Sequence, residues 1–428
     1  LKVLIVTYYW PPAGGPGVQR WLKFVKYLRD FGIEPVVFTA ENPFYPTLDE
    51  TLITDVPEGI ELIKCPIFEP NNIVAKFKKN ETQRSAGFLD PNPSLISKLL
   101  LYIRANYFIP DARKFWVKPA VKMLKTYLST NAIDAVITTG PPHSLHLIGK
   151  KLKESIGVKW IADFRDPWTS IDYFHLLPLT NAARKKHFKL EEEVVRAADQ
   201  VIMVSNNAKK KYQSFNANIA VITNGFDTEK GLETAKEELD RKFSITHIGT
   251  MNSERNPIAF WEALTEISNE NPDFTDDLEL KFIGKVDDSI WEKEIETRFF
   301  KDVKRIDYVP HLEAKLNQRK SQVLLIVVND YPSAKEMIPG KTFEYLQANR
   351  PILGFAPEDG DLAEILSETN SGVAVDFKNK ELAKKTILNL YADYKKGNLQ
   401  LSSKGIDSFH RRKLTEKLSV IIKDLIQD

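Results

Sequence analysis

Two periodicities alternate along the chain. Short, continuously apolar runs, "KVLIVTY" (2–8), "EPVVFTA" (34–40), "DAVITTG" (134–140), "VKWIADF" (158–164) and "QVIMVS" (200–205), are separated by segments with helical spacing. Continuous apolar character, as opposed to strict alternation, predicts strands buried on both faces of a parallel sheet. Between the first two runs, Val18, Trp21, Leu22, Val25 and Leu28 recur every three or four residues and make one apolar helix face. This strand–helix–strand rhythm predicts an α/β protein with a doubly wound parallel sheet.

The rhythm restarts after "AVITNGFD" (220–227) and a charged stretch, "TEKGLETAKEELDRK" (228–242), that reads as a solvated connection. Six more strand candidates follow: "FSITHIG" (243–249), "LELKFIG" (278–284), "KRIDYVP" (304–310), "QVLLIVV" (322–328), "PILGF" (351–355) and "GVAVDF" (372–377). Two Rossmann-like domains, 1–221 and 222–407, are therefore expected to face each other across a cleft. Ligands of such sheets bind beyond the carboxyl ends of the strands, so the loops there should carry the function.

Residues 66–130 break the rhythm. A polar loop, "FKKNETQRSAGFLDPNPS" (77–94), precedes a helical stretch, "LISKLLLYIRANYFIPDARKFWVKPAVKMLKTYL" (95–128). Its apolar residues fit a core or lid helix. Its basic residues, Lys98, Arg104, Arg113, Lys114, Lys118, Lys122 and Lys125, stand among Tyr107, Phe108, Phe115 and Trp116, which fits peripheral contact with an anionic membrane.

Composition narrows the classes. A chain of 428 residues is long for one core, and 43% hydrophobic with 28% charged residues is the balance of a folded protein. The net charge of +2 does not by itself imply a nucleic-acid protein, since such binding shows as a strongly basic patch or domain; a local basic surface remains open. Cys65 is the only cysteine, which excludes an intrachain disulfide and a cysteine metal cage and fits a reducing cytoplasm. No run reaches the roughly 20 apolar residues of a spanning helix, so any membrane contact is expected to be peripheral, at the inner face.

Chemistry concentrates in five loops. The first strand runs into "YYWPPAGGPGVQR", where Gly14 and Gly15 precede a helix start; this is either an anion or sugar cradle or a tight turn without a ligand. The spacing is not a dinucleotide fingerprint, because Arg20 stands where its third glycine would fall. "TTGPPHSLHLIG" places His143 at a helix start, and "ADFRDPW" places Asp163, Arg165 and Asp166 at a strand end. Arg165 is expected to bridge carboxylates there while one acid faces the ligand. In the second half, Gly249 and Thr250 offer backbone N–H groups to phosphate oxygens, with Arg255 within reach. "KEMIPGKTFEYL" then sets Pro339-Gly340 before a helix, with Lys341, Thr342 and Glu344 in or near its first turn. Free N–H groups and a lysine at a helix start suit a diphosphate. The Pro-Gly break leaves Glu336 in a loop and Glu344 on the helix, where the two carboxylates can accept from hydroxyls at opposite ends of a sugar nucleotide.

Glu336, seven intervening residues and Glu344 resemble the E-x7-E motif of the retaining family-4 glycosyltransferases of GT-B fold. "PPAGG", "TNGFD" (223–227) and the final "FHRRKLTEKLSVIIKDLI" support the resemblance, which covers nearly the whole chain. "GPPHS" with "ADFRDPW" is similar to a subgroup of bacterial surface-polysaccharide assembly. The resemblance implies that the first domain takes a glycan or lipid-linked saccharide acceptor and the second a nucleotide-sugar, and that the helix in 408–428 crosses back onto the first domain. It implies Glu344 on the ribose, Glu336 on the donor sugar, Arg255 and Lys341 on the diphosphate, and backbone near Tyr308 and Val309 on the base. The glycine loop and His143 would border the acceptor, with Glu336, His143 and Asp166 at the reacting centre. Thr250 departs from the basic residue common after that glycine, which shifts phosphate binding to Arg255 and Lys341. No cofactor or metal is expected; "DGD" (359–361) is expected to cap a helix. Front-face substitution by the acceptor follows from the resemblance alone. A sugar-nucleotide epimerase and a non-catalytic scaffold are the alternatives on the same fold.

Overall fold

The computed structural model describes residues 1–69, 94–227, 238–298, 300–399 and 401–427. Most of the polar loop 77–94 and of the charged connection 228–242 therefore lies outside the described residues. The chain forms two compact units, Leu1–Asn224 with Arg411–Asp428, and Gly225–His410.

The first unit is built on a parallel sheet of seven strands in the order β3-β2-β1-β4-β5-β6-β7. These are β1 (Lys2–Val6), β2 (Glu34–Ala40), β3 (Glu61–Cys65), β4 (Ala135–Gly140), β5 (Trp160–Phe164), β6 (Gln200–Met203) and β7 (Ile219–Val221). The five apolar runs of the first half are β1, β2, β4, β5 and β6. Two strands are additions: β3 and β7, both at sheet edges. The second of these, Ile219–Val221, pairs with β6 and closes the first sheet. The helix Pro16–Leu28 buries Val18, Trp21, Leu22, Val25 and Leu28, and the helix Arg411–Gln427 packs Leu414, Leu418 and Ile422 into the same core. Covering both helices' apolar stripes in one contact removes them from water, the main favourable term of this packing.

The segment 95–128 divides in two. The helix Val117–Leu128 buries Val117, Ala120 and Leu124 and is a core helix. Trp116, just before it, is fully buried and stacks on Phe38 at 5.4 Å, so it is removed from the candidate interfacial aromatics. The helix Leu95–Tyr107, by contrast, buries only Ala105.

The second unit is a six-stranded parallel sheet, β10-β9-β8-β11-β12-β13. Its strands are β8 (Phe243–Ile248), β9 (Leu278–Ile283), β10 (Val303–Ile306), β11 (Val323–Val327), β12 (Ile352–Phe355) and β13 (Gly372–Val375). All six expected strands are present. In each sheet the chain winds outward in one direction and then returns to wind in the other. The switch points, β1/β4 and β8/β11, are where a ligand crevice opens at the strands' carboxyl ends.

Candidate functional site

In the second unit the loops beyond β8, β9 and β10 converge on one pocket of ≈ 200 Å³. It is lined by Ile248, Ile283, Gly284, Tyr308, Val309, His311, Ala314, Gln318, Lys341 and Glu344. Four of the residues expected to bind the donor, Tyr308, Val309, Lys341 and Glu344, thus share one wall. The floor needs glycine. Gly249 has φ 113° and a Cβ there would lie 2.9 Å from Lys341 Nζ; Gly284 has φ 112° and a Cβ there would lie 2.8 Å from Gly249 O.

Glu344 stands in the first turn of the helix Lys341–Ala348. His311 Nε2 lies 3.2 Å from its Oε1, and Gln318 Nε2 donates to Oε2 at 3.1 Å. Burial alone would raise the carboxyl's pKa, but the hydrogen bonds from His311 and Gln318 and the charge of Lys315 outweigh it, and Glu344 stays ionised below its ordinary range. His311 and Gln318 escaped the sequence reading. They fall one heptad apart on the helix His311–Lys320, with Ala314 between them on the same face, and that spacing was the available signal.

Lys341 donates from Nζ to Ile248 O at 2.6 Å, 3.4 Å from the buried His247 Nε2. Burial first, and then the charge of Arg255, lower its pKa to about 7, against the opposing pull of Glu344. Arg255 donates to Asn329 Oδ1 at 2.7 Å and to Thr250 O at 3.2 Å, so Thr250 contributes its carbonyl to holding that guanidinium. Thr342 is fully buried, with its N–H on Pro339 O at 2.9 Å, and forms part of the helix seat. Gly340 is the N-cap with ordinary helical angles and open space at its Cβ, so no backbone strain demands glycine there. Glu336 ends a 3-10 turn, Ala334–Glu336, outside the helix.

The Lys341 shift has a measurable sign. An unfolded lysine keeps its proton to about pH 10, so between pH 7 and that value the unfolded chain binds more protons and folding stability rises with pH. A bound diphosphate favours the charged amine, so binding takes up a proton above pH 7. Affinity for a nucleoside diphosphate is expected to fall from pH 7 to pH 9, with calorimetric heats that depend on the buffer's ionisation enthalpy. Lys341→Arg should flatten both dependences.

In the first unit, Gly14 is pressed against the 47–49 segment, with a would-be Cβ 3.1 Å from Thr47, while Gly15 adopts φ 84° in open space. Gly17, in the helix's first turn, leaves room for Arg165, whose Nη1 lies 2.6 Å from a would-be Cβ. Arg165 pairs with Asp166 at 2.9 Å and sits 5.9 Å from the Tyr9 ring centroid. His143 stacks on Trp168 at 5.0 Å, and burial, with His146 and Arg165 nearby, keeps it neutral. Arg165, Asp166, His143 and the glycine loop all lie beyond the strand ends of this sheet.

Asp163 is corrected. It is fully buried, not ligand-facing: it accepts from Arg20 Nη2 at 2.8 Å, Trp21 Nε1 at 2.8 Å and Thr139 Oγ1 at 2.9 Å. Arg20 also donates to Ile222 O and Thr223 O, both at 2.9 Å. The bridging arginine for Asp163 is therefore Arg20, and Arg165 serves Asp166 alone of the two acids. The expected capping by "DGD" is also corrected: Gly360 is the N-cap of the helix Asp361–Glu368, Asp359 pairs with Lys335, and Asp361 is its buried first residue. Among the described residues no group of three His, Cys, Asp or Glu side chains is placed to hold a metal ion.

With this geometry in view, comparison with known proteins is informative. Residues 82–230 match the model of Glycosyltransferase Family 4. That match spans 149 of the chain's 428 residues. Whole-chain structural likeness supports the GT-B fold beneath it. The lipopolysaccharide outer core galactosyltransferase WaaB aligns over 99% of both chains at 12% identity, TM-score 0.61. HepE of Anabaena, solved with UDP-glucose, aligns over 99% of both at 12% identity, TM-score 0.58. WaaG, a glycosyltransferase involved in lipopolysaccharide biosynthesis, aligns over 98% of this chain and 99% of its own at 13% identity, TM-score 0.56. At such identities the likeness is one of fold. No curated protein matches the chain by sequence. No helix among the described residues is long and apolar enough to cross a membrane.

Proposed function

We propose that this glycosyltransferase moves a sugar, with retention of anomeric configuration, from a nucleoside diphosphate to a hydroxyl of a glycan or lipid-linked saccharide in cell-surface polysaccharide assembly. The observation that carries the donor half is the second-unit pocket, where an ionised Glu344 lines one cavity together with Lys341, Tyr308 and Val309. Glu344 takes the ribose diol, Lys341 with Arg255 the diphosphate, and the 308–309 backbone the base. Fixed cations stabilise the charge that builds on the departing diphosphate without reorganising. Glu336 is assigned to the transferred sugar, and His143 and Asp166 to the acceptor and the reacting centre. HepE with UDP-glucose supports the class of donor, and WaaG and WaaB the class of product.

Thermal-shift measurements with a panel of nucleoside diphosphates test the donor half, since a ligand that binds only the folded state raises its melting temperature. One diphosphate should stabilise the chain well beyond the rest, and its sugar conjugate should then be turned over only with an acceptor. No stabilisation by any diphosphate would leave a non-catalytic scaffold, and conversion of the conjugate without acceptor would replace transfer by epimerisation.

A further inference from the structure

We infer that His247 is a positioning residue of the second-unit pocket: the lone pair on its Nε2 holds the Lys341 ammonium at the pocket floor. The inference rests on the assignment of Lys341 to the diphosphate and deepens it. A histidine is out of place in this strand. β8 reads Phe-Ser-Ile-Thr-His-Ile, its first five residues are buried, and His247 is fully so. An apolar side chain would fill the same space without burying two ring nitrogens, each of which loses hydration and needs a partner in return.

Both nitrogens have one. Nδ1 lies 3.1 Å from Leu325 O on the neighbouring β11. A carbonyl oxygen only accepts, so Nδ1 carries the ring proton, and in a neutral imidazole that leaves Nε2 as the acceptor. The backbone of Leu325 and Thr250 favours a proton on the ring, but burial first, and then the charges of Lys341 and Arg255, outweigh it and keep the ring neutral. Nε2 faces Lys341 Nζ at 3.4 Å, and Nζ donates to Ile248 O at 2.6 Å. Two of the three ammonium protons are thereby fixed, which turns the third toward the pocket that Lys341 lines. The helix start is tied to the same strand end, because the Tyr345 hydroxyl, one turn on, accepts from the Ile248 N–H at 3.0 Å.

Neutrality suits the residue to the task. Arg255 opposes the charge on Lys341 and Glu344 favours it. A carboxylate in place of His247 would hold the amine more firmly but would repel the phosphates as well. A neutral imidazole does the first without the second.

Two substitutions separate the ring nitrogens, since an asparagine amide donor falls near the Nδ1 position and a glutamine amide oxygen near that of Nε2. His247→Asn should keep the bond to Leu325 O and lose the hold on Lys341; His247→Gln should do the reverse. Competitive acetylation of Lys341 by acetic anhydride as a function of pH, read by peptide mass spectrometry, reports the amine's protonation without any nucleotide. Losing a lone pair that favours the charged amine lowers its proton affinity, so the midpoint should fall by about one pH unit, roughly tenfold, in His247→Asn. In His247→Gln it should stay near wild type. Affinity for the nucleoside diphosphate that most stabilises the chain should weaken at correspondingly lower pH in His247→Asn alone. Imidazole nitrogen-15 shifts of the wild-type chain give the tautomer directly, should either variant fail to fold. A proton on Nε2, equal midpoints in all three proteins, or equal displacement in both variants would overturn the inference. A midpoint displaced in His247→Asn, with diphosphate affinity that does not follow it, would uphold the hold of His247 on Lys341 and remove Lys341 from the diphosphate.

Discussion

Replacing Asp163 with alanine is expected to destabilise the first unit by about 3–5 kcal/mol, because it leaves the Arg20 guanidinium buried without its counter-charge. Both partners are essentially inaccessible, and Asp163 also satisfies Trp21 and Thr139. The orphaned donors add to the cost, since a buried group stripped of its partner forfeits its hydration as well as its bond. Against an ordinary stability of about 5–15 kcal/mol this is a large share, and urea denaturation followed by first-unit tryptophan fluorescence would read it as a lower midpoint. Pairing the change with Arg20→Met should recover part of the loss. A double variant as unstable as the sum of two single changes would mean that the two residues do not act through one another.

Glu344→Ala is expected to weaken nucleoside diphosphate binding roughly 10- to 100-fold, the worth of about 1.5–3 kcal/mol for hydrogen bonds to a charged group. The carboxylate is poised by His311 and Gln318 and held ionised, so its loss removes a prepared acceptor for the ribose hydroxyls. Titration calorimetry with the diphosphate that most stabilises the chain measures this directly. Glu336→Ala is expected to leave that affinity nearly unchanged and to lower turnover. Equal loss of affinity and turnover in both variants would remove the division of labour between the two glutamates.

The strands that are buried on both faces were legible because burial on two sides forces a continuous apolar run. β3 was not. Its sequence, Glu61-Leu62-Ile63-Lys64-Cys65, is interrupted by charges that an edge can afford, and Glu61 reaches Lys2 at 2.9 Å across the sheet. The three residues of β7 are too few to carry any period. At the site, Lys341 and Glu344 could be read from their spacing after the Pro339-Gly340 break, but the groups that hold them, Ile248 O for Lys341 and His311 and Gln318 for Glu344, come from other elements. The Asp163 environment could not, since Arg20 lies 143 residues away in sequence. Two opposite charges set in apolar segments far apart were the only trace of that pairing, and such a trace names no partner. Exposure of the helix Leu95–Tyr107 was likewise hidden, because a stripe of leucine and isoleucine reads alike whether it faces a core or a lipid surface.

The helix Arg411–Gln427 shares its core with Pro16–Leu28, so the first unit is assembled from two stretches separated by the whole of the second. During synthesis the ribosome delivers every residue of the second unit before it delivers the last helix of the first. The apolar stripe of Pro16–Leu28 thus waits, uncovered by that partner, while the rest of the first unit up to Asn224 and then all of Gly225–His410 are added. Order of completion inverts order of translation: the later-made unit can finish first. A stop codon after position 410 would spare the pocket around Lys341 and Glu344 while depriving the first unit of the seventeen-residue helix, Arg411–Gln427, that closes its core.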